Sequence, residues 1–292
     1  MDKQRIAVIG AGAIGGILAA AAHSAGHEVT VCVRTPFERL VIDSPDGQVD
    51  VPARIVTDPQ DAPDADWVLL TTKVQDVGSA APWLRRFDDG RAPVVIVQNG
   101  VEHEESVSGL DLRSPLVPAL IYVGAERVRP GHVVRRTPAK IVVGKGGPGE
   151  RLAELLAGIR VSQTDDFRTA AWRKMLMNLA ANPITALTMR RLDVLGEPDV
   201  QELSDAVLTE AVEVARAEGA ALTQADADKV LSAYSEGFGP ENGTSMLYDR
   251  LAGLPTEHEH ITGPLVRAAE RHGIAVPLNR ALLTLMRALR PN

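Results

Sequence analysis

Three observations predict an α/β sheet domain followed by an all-helical domain. Through the first half, short apolar runs closed by glycine or polar residues alternate with helical stretches, the signature of a parallel, doubly wound sheet. The first of these runs ends in the glycine-rich stretch Gly10-Ala11-Gly12-Ala13-Ile14-Gly15. From about residue 166 onward helical periodicity dominates and no convincing strand is left. The boundary is placed between residues 165 and 166, giving domains 1–165 and 166–292.

The elements follow in order. "RIAVIG" (5–10) reads as a buried strand, 13–25 as a helix, and "EVTVCVR" (28–34) as a second strand. "WVLLTT" (67–72) and "VVIVQNG" (94–100) are further short apolar runs closed by polar residues or glycine. "ALIYVGAERVRPGHVVRR" predicts a hairpin turning at Pro130-Gly131, and "AKIVVGKGGPGE" a strand ending in a loop. Beyond it, "DVQELSDAVLTEAVEVARAEG", "ADKVLSAYSEG", "SMLYDRLAGL", "EHITGPLVRAAERHG" and "NRALLTLMRALR" all carry helical periodicity. There is no internal repeat or low-complexity tract.

Composition narrows the function. The chain has 292 residues, 45% hydrophobic and 24% charged, which suits a soluble protein with one large core or two modest ones. A net charge of −7 and only three Trp, three Tyr and four Phe give no footprint for nucleic acid. The single cysteine, Cys32, excludes an intrachain disulfide and a cysteine-rich metal site, and its apolar surroundings predict a buried small hydrophobe. Lys3 and Arg5 ahead of "IAVIGAGAIGGILAAAA" imitate a signal peptide, but the glycine spacing inside the run has a better explanation. The expectation is therefore a cytoplasmic protein without a membrane partner.

That explanation is a G-x-G-x-x-G pattern that closes a strand and opens a helix. Gly10 permits the tight turn, Gly12 lets the backbone approach a pyrophosphate, and Gly15 lets the helix pack on the strand. The helix N-terminus, reached through Ala11, Ala13 and Ile14, offers free N–H groups and a positive dipole to phosphates. In this context the pattern predicts a Rossmann-type dinucleotide site, against the plainer reading of a tight structural turn. At the end of the second strand an NAD site normally carries Asp or Glu; here stands Arg34, suited to a 2′-phosphate, so NADP(H) is the expected cofactor. Lys73 and Asn99 follow two further strand ends, where such a sheet binds its ligand. Asn99-Gly100 is equally an ordinary turn dipeptide.

"WRKMLMNLAANP" (172–183) sets Lys174, Asn178 and Asn182 at intervals of four, within an arc of about 80° on a helix. Trp172, Leu176, Leu179 and Leu187 fall opposite, so the segment reads as an amphipathic helix. A solvated face is the plain interpretation, but Asn is a poor helix former and Asn182 precedes Pro183, which disfavours helical geometry there. Later, "ENGTSMLYDRL" opens a helix with Asn242, Thr244 and Ser245, residues that cap helices or receive an anion such as a carboxylate. In "TEHEHITG", Thr256 and Glu259 have capping-box spacing, which leaves Glu257 a spare carboxylate. His258 and His260 point about 200° apart on a helix, so no metal site is expected.

These blocks together resemble the ketopantoate reductase family, the NADP-dependent 2-dehydropantoate 2-reductases. The resemblance runs through nearly the whole chain in "GAGAIGG", "VRTP", "TTK", "QNG", "WRKMLMNLAANPITAL", "ENGTSMLYD", "TEHEHITG" and "HGIAVPLN". It implies an active site between a Rossmann-type and a helical domain, Lys174 as catalytic acid, and Asn99, Asn178, Asn182, Asn242, Ser245 and Glu257 on the substrate side. Arg34 and Lys73 match positions facing the NADP phosphates and ribose. Under this reading Lys174 would stabilise and protonate the oxygen of a 2-oxo acid as hydride reaches its carbon, and Glu257 would orient the ammonium.

Three residues depart from the family pattern. Leu192 stands where a further asparagine is usual, Thr262 where Asn is common, and His258 where an apolar residue is usual. Arg190 and Arg191 are candidates for a substitute carboxylate contact, against the plainer reading of two solvated charges. Three alternatives stay open: the same chemistry on another 2-oxo acid; the β-hydroxyacid dehydrogenase group, which also sets a Lys-x-x-x-Asn helix beside a Rossmann domain but is matched less well by Asn182, the Ser245 block and Glu257; and a non-catalytic NADP(H)-binding sensor. The helical half could also present an apolar surface supporting a homodimer.

Overall fold

The computed structural model describes residues 2–236 and 239–289. They form two compact units, one of Met1–Gln98 with His103–Phe167, the other of Asn99–Glu102 with Arg168–Asn292. The chain thus passes between units at three places, and a segment of the first half, residues 99–102, belongs to the second unit.

The first unit contains strands β1 (Arg5–Ile9), β2 (Glu28–Cys32), β3 (Leu40–Ser44), β4 (Gly47–Val51), β5 (Arg54–Val56), β6 (Trp67–Leu70), β7 (Val94–Ile96), β8 (Leu116–Tyr122), β9 (Ala125–Arg129), β10 (His132–Arg135), β11 (Lys140–Gly144) and β12 (Arg160–Thr164). Its helices are α1 (Ala13–Ser24), α2 (Val77–Phe87) and the single turn α3 (Leu152–Leu155). The main sheet has the order β12-β11-β8-β7-β6-β1-β2-β5. Strands β5, β2, β1, β6, β7 and β8 pair in parallel, while β11 runs antiparallel to β8. The order reverses between β1 and β6, and this is where an open α/β sheet receives a ligand at its carboxyl edge.

Both faces of this sheet are covered, which explains strands without hydrophobic alternation. Along β1, Ile6 and Val8 face a core shared with α1, while Ala7 and Ile9 face a core shared with α2. Four consecutive alanines, Ala19–Ala22, are buried in α1 because a second sheet closes over it. That sheet has the order β4-β3-β10-β9. A Cβ on Gly16 of α1 would lie 2.8 Å from Val133 of β10, so only glycine allows this approach. The apolar run 6–22 is therefore a buried strand, Ile6–Ile9, and a helix buried from Gly15 to Ala22, joined by a partly exposed turn. No helix among the described residues is long and apolar enough to cross a membrane.

The hairpin at Pro130-Gly131 forms as expected between β9 and β10. Residues 40–56, whose pattern predicts no element, form β3, β4 and β5. Buried Cys32 has its thiol pushed up to about 12 by desolvation, in keeping with a small core residue.

The second unit is helical: α4 (Phe167–Thr188, whose first residue belongs to the first unit), α5 (Pro198–Ala217), α6 (Gln224–Glu236), α7 (Ser245–Leu251), α8 (His258–His272) and α9 (Pro277–Ala288). A short 3-10 helix covers Leu192–Gly196. Helix α4 is not the amphipathic helix that its spacing predicts. Trp172, Met175, Leu176 and Leu179 pack in the core, but Lys174 and Asn182 on the other face are also buried, at 8% and 3% exposure. Nor does Asn182 break the helix, which continues through Pro183 to Thr188. Packing around the whole circumference outweighs the local cost of proline.

Candidate active site

In the first unit the Gly10–Gly15 loop has the geometry its spacing demands. Gly10 has φ +98°, a conformation L side chains rarely adopt. A Cβ on Gly15 would lie 1.9 Å from the Gly10 carbonyl oxygen, so α1 can start here only with glycine. Gly12 differs, since a Cβ there meets nothing within 4 Å. Packing does not require that glycine; close approach of the protein backbone to a ligand would. Gly12 caps α1 without a side-chain hydrogen bond, and no acidic residue lies in the first turn. The helix N-terminus, with Ala13 and Ile14, is thus a fitting cradle for an anion.

Thr71 fixes the loop: its hydroxyl donates to the carbonyls of Ile9 at 3.0 Å and Gly10 at 2.7 Å. The neighbouring Thr72 hydroxyl is buried and finds no hydrogen-bond partner among the described residues. Arg34, just past β2, has a side chain 71% exposed and pairs with Asp76 at 3.5 Å. Lys73 precedes the short 3-10 helix Val74–Asp76 beyond β6, at the same carboxyl edge of the sheet.

In the second unit, three of the expected site residues come together. The Lys174 ammonium donates to Asn99 Oδ1 at 3.0 Å, and Asn99 Nδ2 donates to Glu257 Oε2 at 3.2 Å. The chemistry fixes the amide orientation, because an ammonium only donates and a carboxylate only accepts. Lys174 and Glu257 are 8% and 6% exposed. Burial holds the Lys174 pKa down to about 8, opposed by the negative charge of Glu257. An acid poised near neutrality can both hold and release its proton.

Glu257 reaches this position differently from the capping-box expectation. It is itself the residue preceding α8, and no side-chain bond caps that helix. Thr256 instead pairs its hydroxyl with His258 Nδ1 at 2.8 Å, and Glu259 binds Arg287 at 2.8 Å. Among the described residues no group of three or more His, Cys, Asp or Glu could hold a metal ion.

The remaining expected residues divide. Asn178 is half-buried on α4, one turn from both Lys174 and Asn182. Asn182 Nδ2 and Thr262 Oγ1 are buried with no hydrogen-bond partner among the described residues. Asn242 spends its amide locally, on the Gly239 carbonyl and on Glu241, each at 3.3 Å. Thr244 caps α7 by accepting from the Leu247 N–H, leaving Ser245 exposed at the first position. Leu192 sits in an apolar cluster with Ala181, Ile184, Val194 and Leu195. Arg190 pairs with Asp193 and Glu197, and Arg191 donates to the Glu241 carbonyl, so both are engaged in surface structure.

Sequence reasoning passed over Thr71 and Gln98. Gln98 Nε2 donates to the Thr72 carbonyl at 3.0 Å, tying the ends of two parallel strands. A polar residue closing an apolar run carries no local signal for such a bond.

Comparison with known proteins identifies the family. Residues 6–148 match the family described as Ketopantoate reductase PanE/ApbA, and residues 166–290 match its C-terminal part. A 2-dehydropantoate 2-reductase of Caulobacter vibrioides is 37% identical over 286 residues, covering 97% of this chain and 98% of that one. One from Mycobacterium tuberculosis is 38% identical over 289 residues, covering 97% of each. The crystal structure of a PanE/ApbA family ketopantoate reductase from Ralstonia eutropha JMP134 superposes with a TM-score of 0.89 at 30% identity, covering 97% of both chains. With a sheet unit built around a glycine loop and a helical unit holding a buried lysine, the chain belongs to the ketopantoate reductase family.

Proposed function

We propose that this protein reduces 2-dehydropantoate to pantoate with NADPH, a step toward pantothenate, and that Lys174 is the general acid. The observation carrying this reading is the buried Lys174–Asn99–Glu257 chain. When bound, the nicotinamide supplies hydride to the carbonyl carbon of the 2-oxo acid. As charge builds on the carbonyl oxygen, the Lys174 ammonium stabilises it and donates a proton, leaving a neutral amine and the 2-hydroxy acid. Asn99 aims the ammonium, and Glu257 favours its charged form. Low solvent exposure strengthens both effects.

The cofactor residues are Gly10, Ala11, Gly12, Ala13, Ile14 and Gly15 around the pyrophosphate, with Arg34, Lys73 and Asn99 at neighbouring strand ends. The open space over Gly12 and the buried, unpartnered Thr72 hydroxyl support this assignment. Arg34 supports NADPH over NADH: its exposed guanidinium pairs with a single carboxylate and retains donors for a 2′-phosphate. On the substrate side, Asn178, Asn182, Asn242 and Ser245 are the polar contacts. The unsatisfied Asn182 amide is the strongest of them, since a buried donor without an acceptor is costly unless a ligand supplies one.

A second reading keeps the mechanism and changes the 2-oxo acid. It is favoured by Leu192, whose side chain lies in an apolar cluster and offers no hydrogen bond, and by the small buried Thr262. Reduced-cofactor oxidation with ketopantoate and a panel of branched 2-oxo acids, each with NADPH and NADH, separates the readings. NADPH-dependent turnover highest on ketopantoate supports the first; a higher kcat/KM on another acid supports the second. Binding of NADPH without turnover on any of them would leave a non-catalytic sensor.

A further inference from the structure

The chain crosses between units after Gln98, after Glu102 and after Phe167. On the first-unit side, the residues at these crossings are Gln98, His103 and Phe167, and His103 touches both of the others. Its Nε2 lies 3.1 Å from the Gln98 carbonyl oxygen, and its ring meets the Phe167 ring edge-on at 5.7 Å and 71°. A carbonyl accepts only, so Nε2 carries the proton. His103 is 5% exposed and Gln98 likewise 5%. Ser106 completes the anchor, its hydroxyl lying 2.9 Å from Gln98 Oε1 and 2.7 Å from the His103 carbonyl.

Between Gln98 and His103 lie four residues, each held in the second unit. Asn99 bridges Lys174 and Glu257. Gly100 passes so close to α8 that a Cβ would sit 2.9 Å from the His260 carbonyl. Val101 packs on the helical core, and Glu102 pairs with Arg267 at 2.6 Å. The bond from His103 to Gln98 closes the base of this short loop.

We infer that His103 is a positioning residue for the reaction: by holding the Gln98 carbonyl it fixes the backbone from which Asn99 aims the Lys174 ammonium. This rests on the acid role proposed for Lys174. His103 touches none of the reacting groups in this account. Its effect belongs in the chemical step, because small displacements of an aligned proton donor are costly there.

The test compares His103→Phe, which keeps the ring against Phe167 and removes the donor, with His103→Gln, which can return an N–H to the same place. The expected result is a kcat about tenfold lower for His103→Phe, cofactor affinity unchanged, and His103→Gln within about threefold of the parent. A folded His103→Phe with parental kcat, or a His103→Gln no better than His103→Phe, would overturn the inference. Should His103→Phe not fold, Ser106→Ala removes the hydroxyl from the same anchor. A kcat about threefold lower with unchanged cofactor affinity supports the inference, and parental kcat overturns it. Lys174→Ala is assayed alongside. If Lys174→Ala keeps turnover, the acid role falls and this inference with it; if it is inactive while His103→Phe matches the parent, this inference alone falls.

Discussion

The Lys174 ammonium donates to Asn99 Oδ1 at 3.0 Å, joining residues 75 apart in the chain. The same asparagine donates onward to Glu257, so a single amide connects a buried cation with a buried carboxylate. Each charge is desolvated, and the pair is tolerable because one amide accepts from the cation and donates to the carboxylate.

The pH dependence of turnover follows from this environment. Burial lowers the Lys174 pKa from 10.5 to about 8, and an acid works only while protonated. With a non-limiting substrate, kcat is expected to fall as pH rises through about 8. Glu257→Gln removes the negative charge that opposes the shift, so the midpoint should move to lower pH. Steady-state kcat profiles of both proteins from pH 6 to about 10 check the sign.

Asn99→Leu keeps the bulk and removes both hydrogen bonds. The ammonium loses its aim and Glu257 loses a donor, so kcat should fall about 100-fold. Stability should fall by about 1–3 kcal/mol as Lys174 loses an acceptor and Glu257 a donor. Denaturant unfolding measured beside turnover distinguishes the two effects.

The two outer questions at the glycine loop separate cleanly. Gly12→Ala meets no neighbour within 4 Å and adopts an ordinary φ of −72°, so the fold should stand while cofactor affinity falls at least about tenfold. Gly15→Ala collides with the Gly10 carbonyl at 1.9 Å and should destabilise the first unit by about 3 kcal/mol or more. Calorimetric melting and cofactor titration on each variant check this contrast.

Arg34→Ala should leave the melting temperature unchanged, because the side chain is 71% exposed and its ion pair is a surface one. Affinity for NADPH should fall about 10- to 100-fold while NADH is little affected, which fluorescence titration with both cofactors would show.

How much of this was legible in the sequence depends on how local each signal is. The Gly10–Gly15 pattern states a backbone requirement directly, and the structure realises it at Gly10 and Gly15, while Gly12 stands in open space. The β3 and β4 hairpin was harder to see: its runs are short and half-polar, and the second sheet's burial against α1 comes from tertiary packing. Helix α4 is hard to read for the same reason. Its Lys–Asn stripe follows the period of a solvated face, yet tertiary packing buries Lys174 and Asn182 and half-buries Asn178. Thr256 and Glu259 match a capping box by spacing, yet His258 and Arg287 claim their side chains, which spacing cannot anticipate. The link from His103 to Gln98 depends on a loop closure that no periodicity encodes.

The most direct test of the central claim is single-turnover reduction of ketopantoate by Lys174→Ala, with NADPH affinity measured on the same protein. The hydride-transfer rate should fall about 100-fold or more with cofactor affinity within about twofold of the parent. A parental transfer rate, or a defect confined to NADPH binding, would contradict the claim.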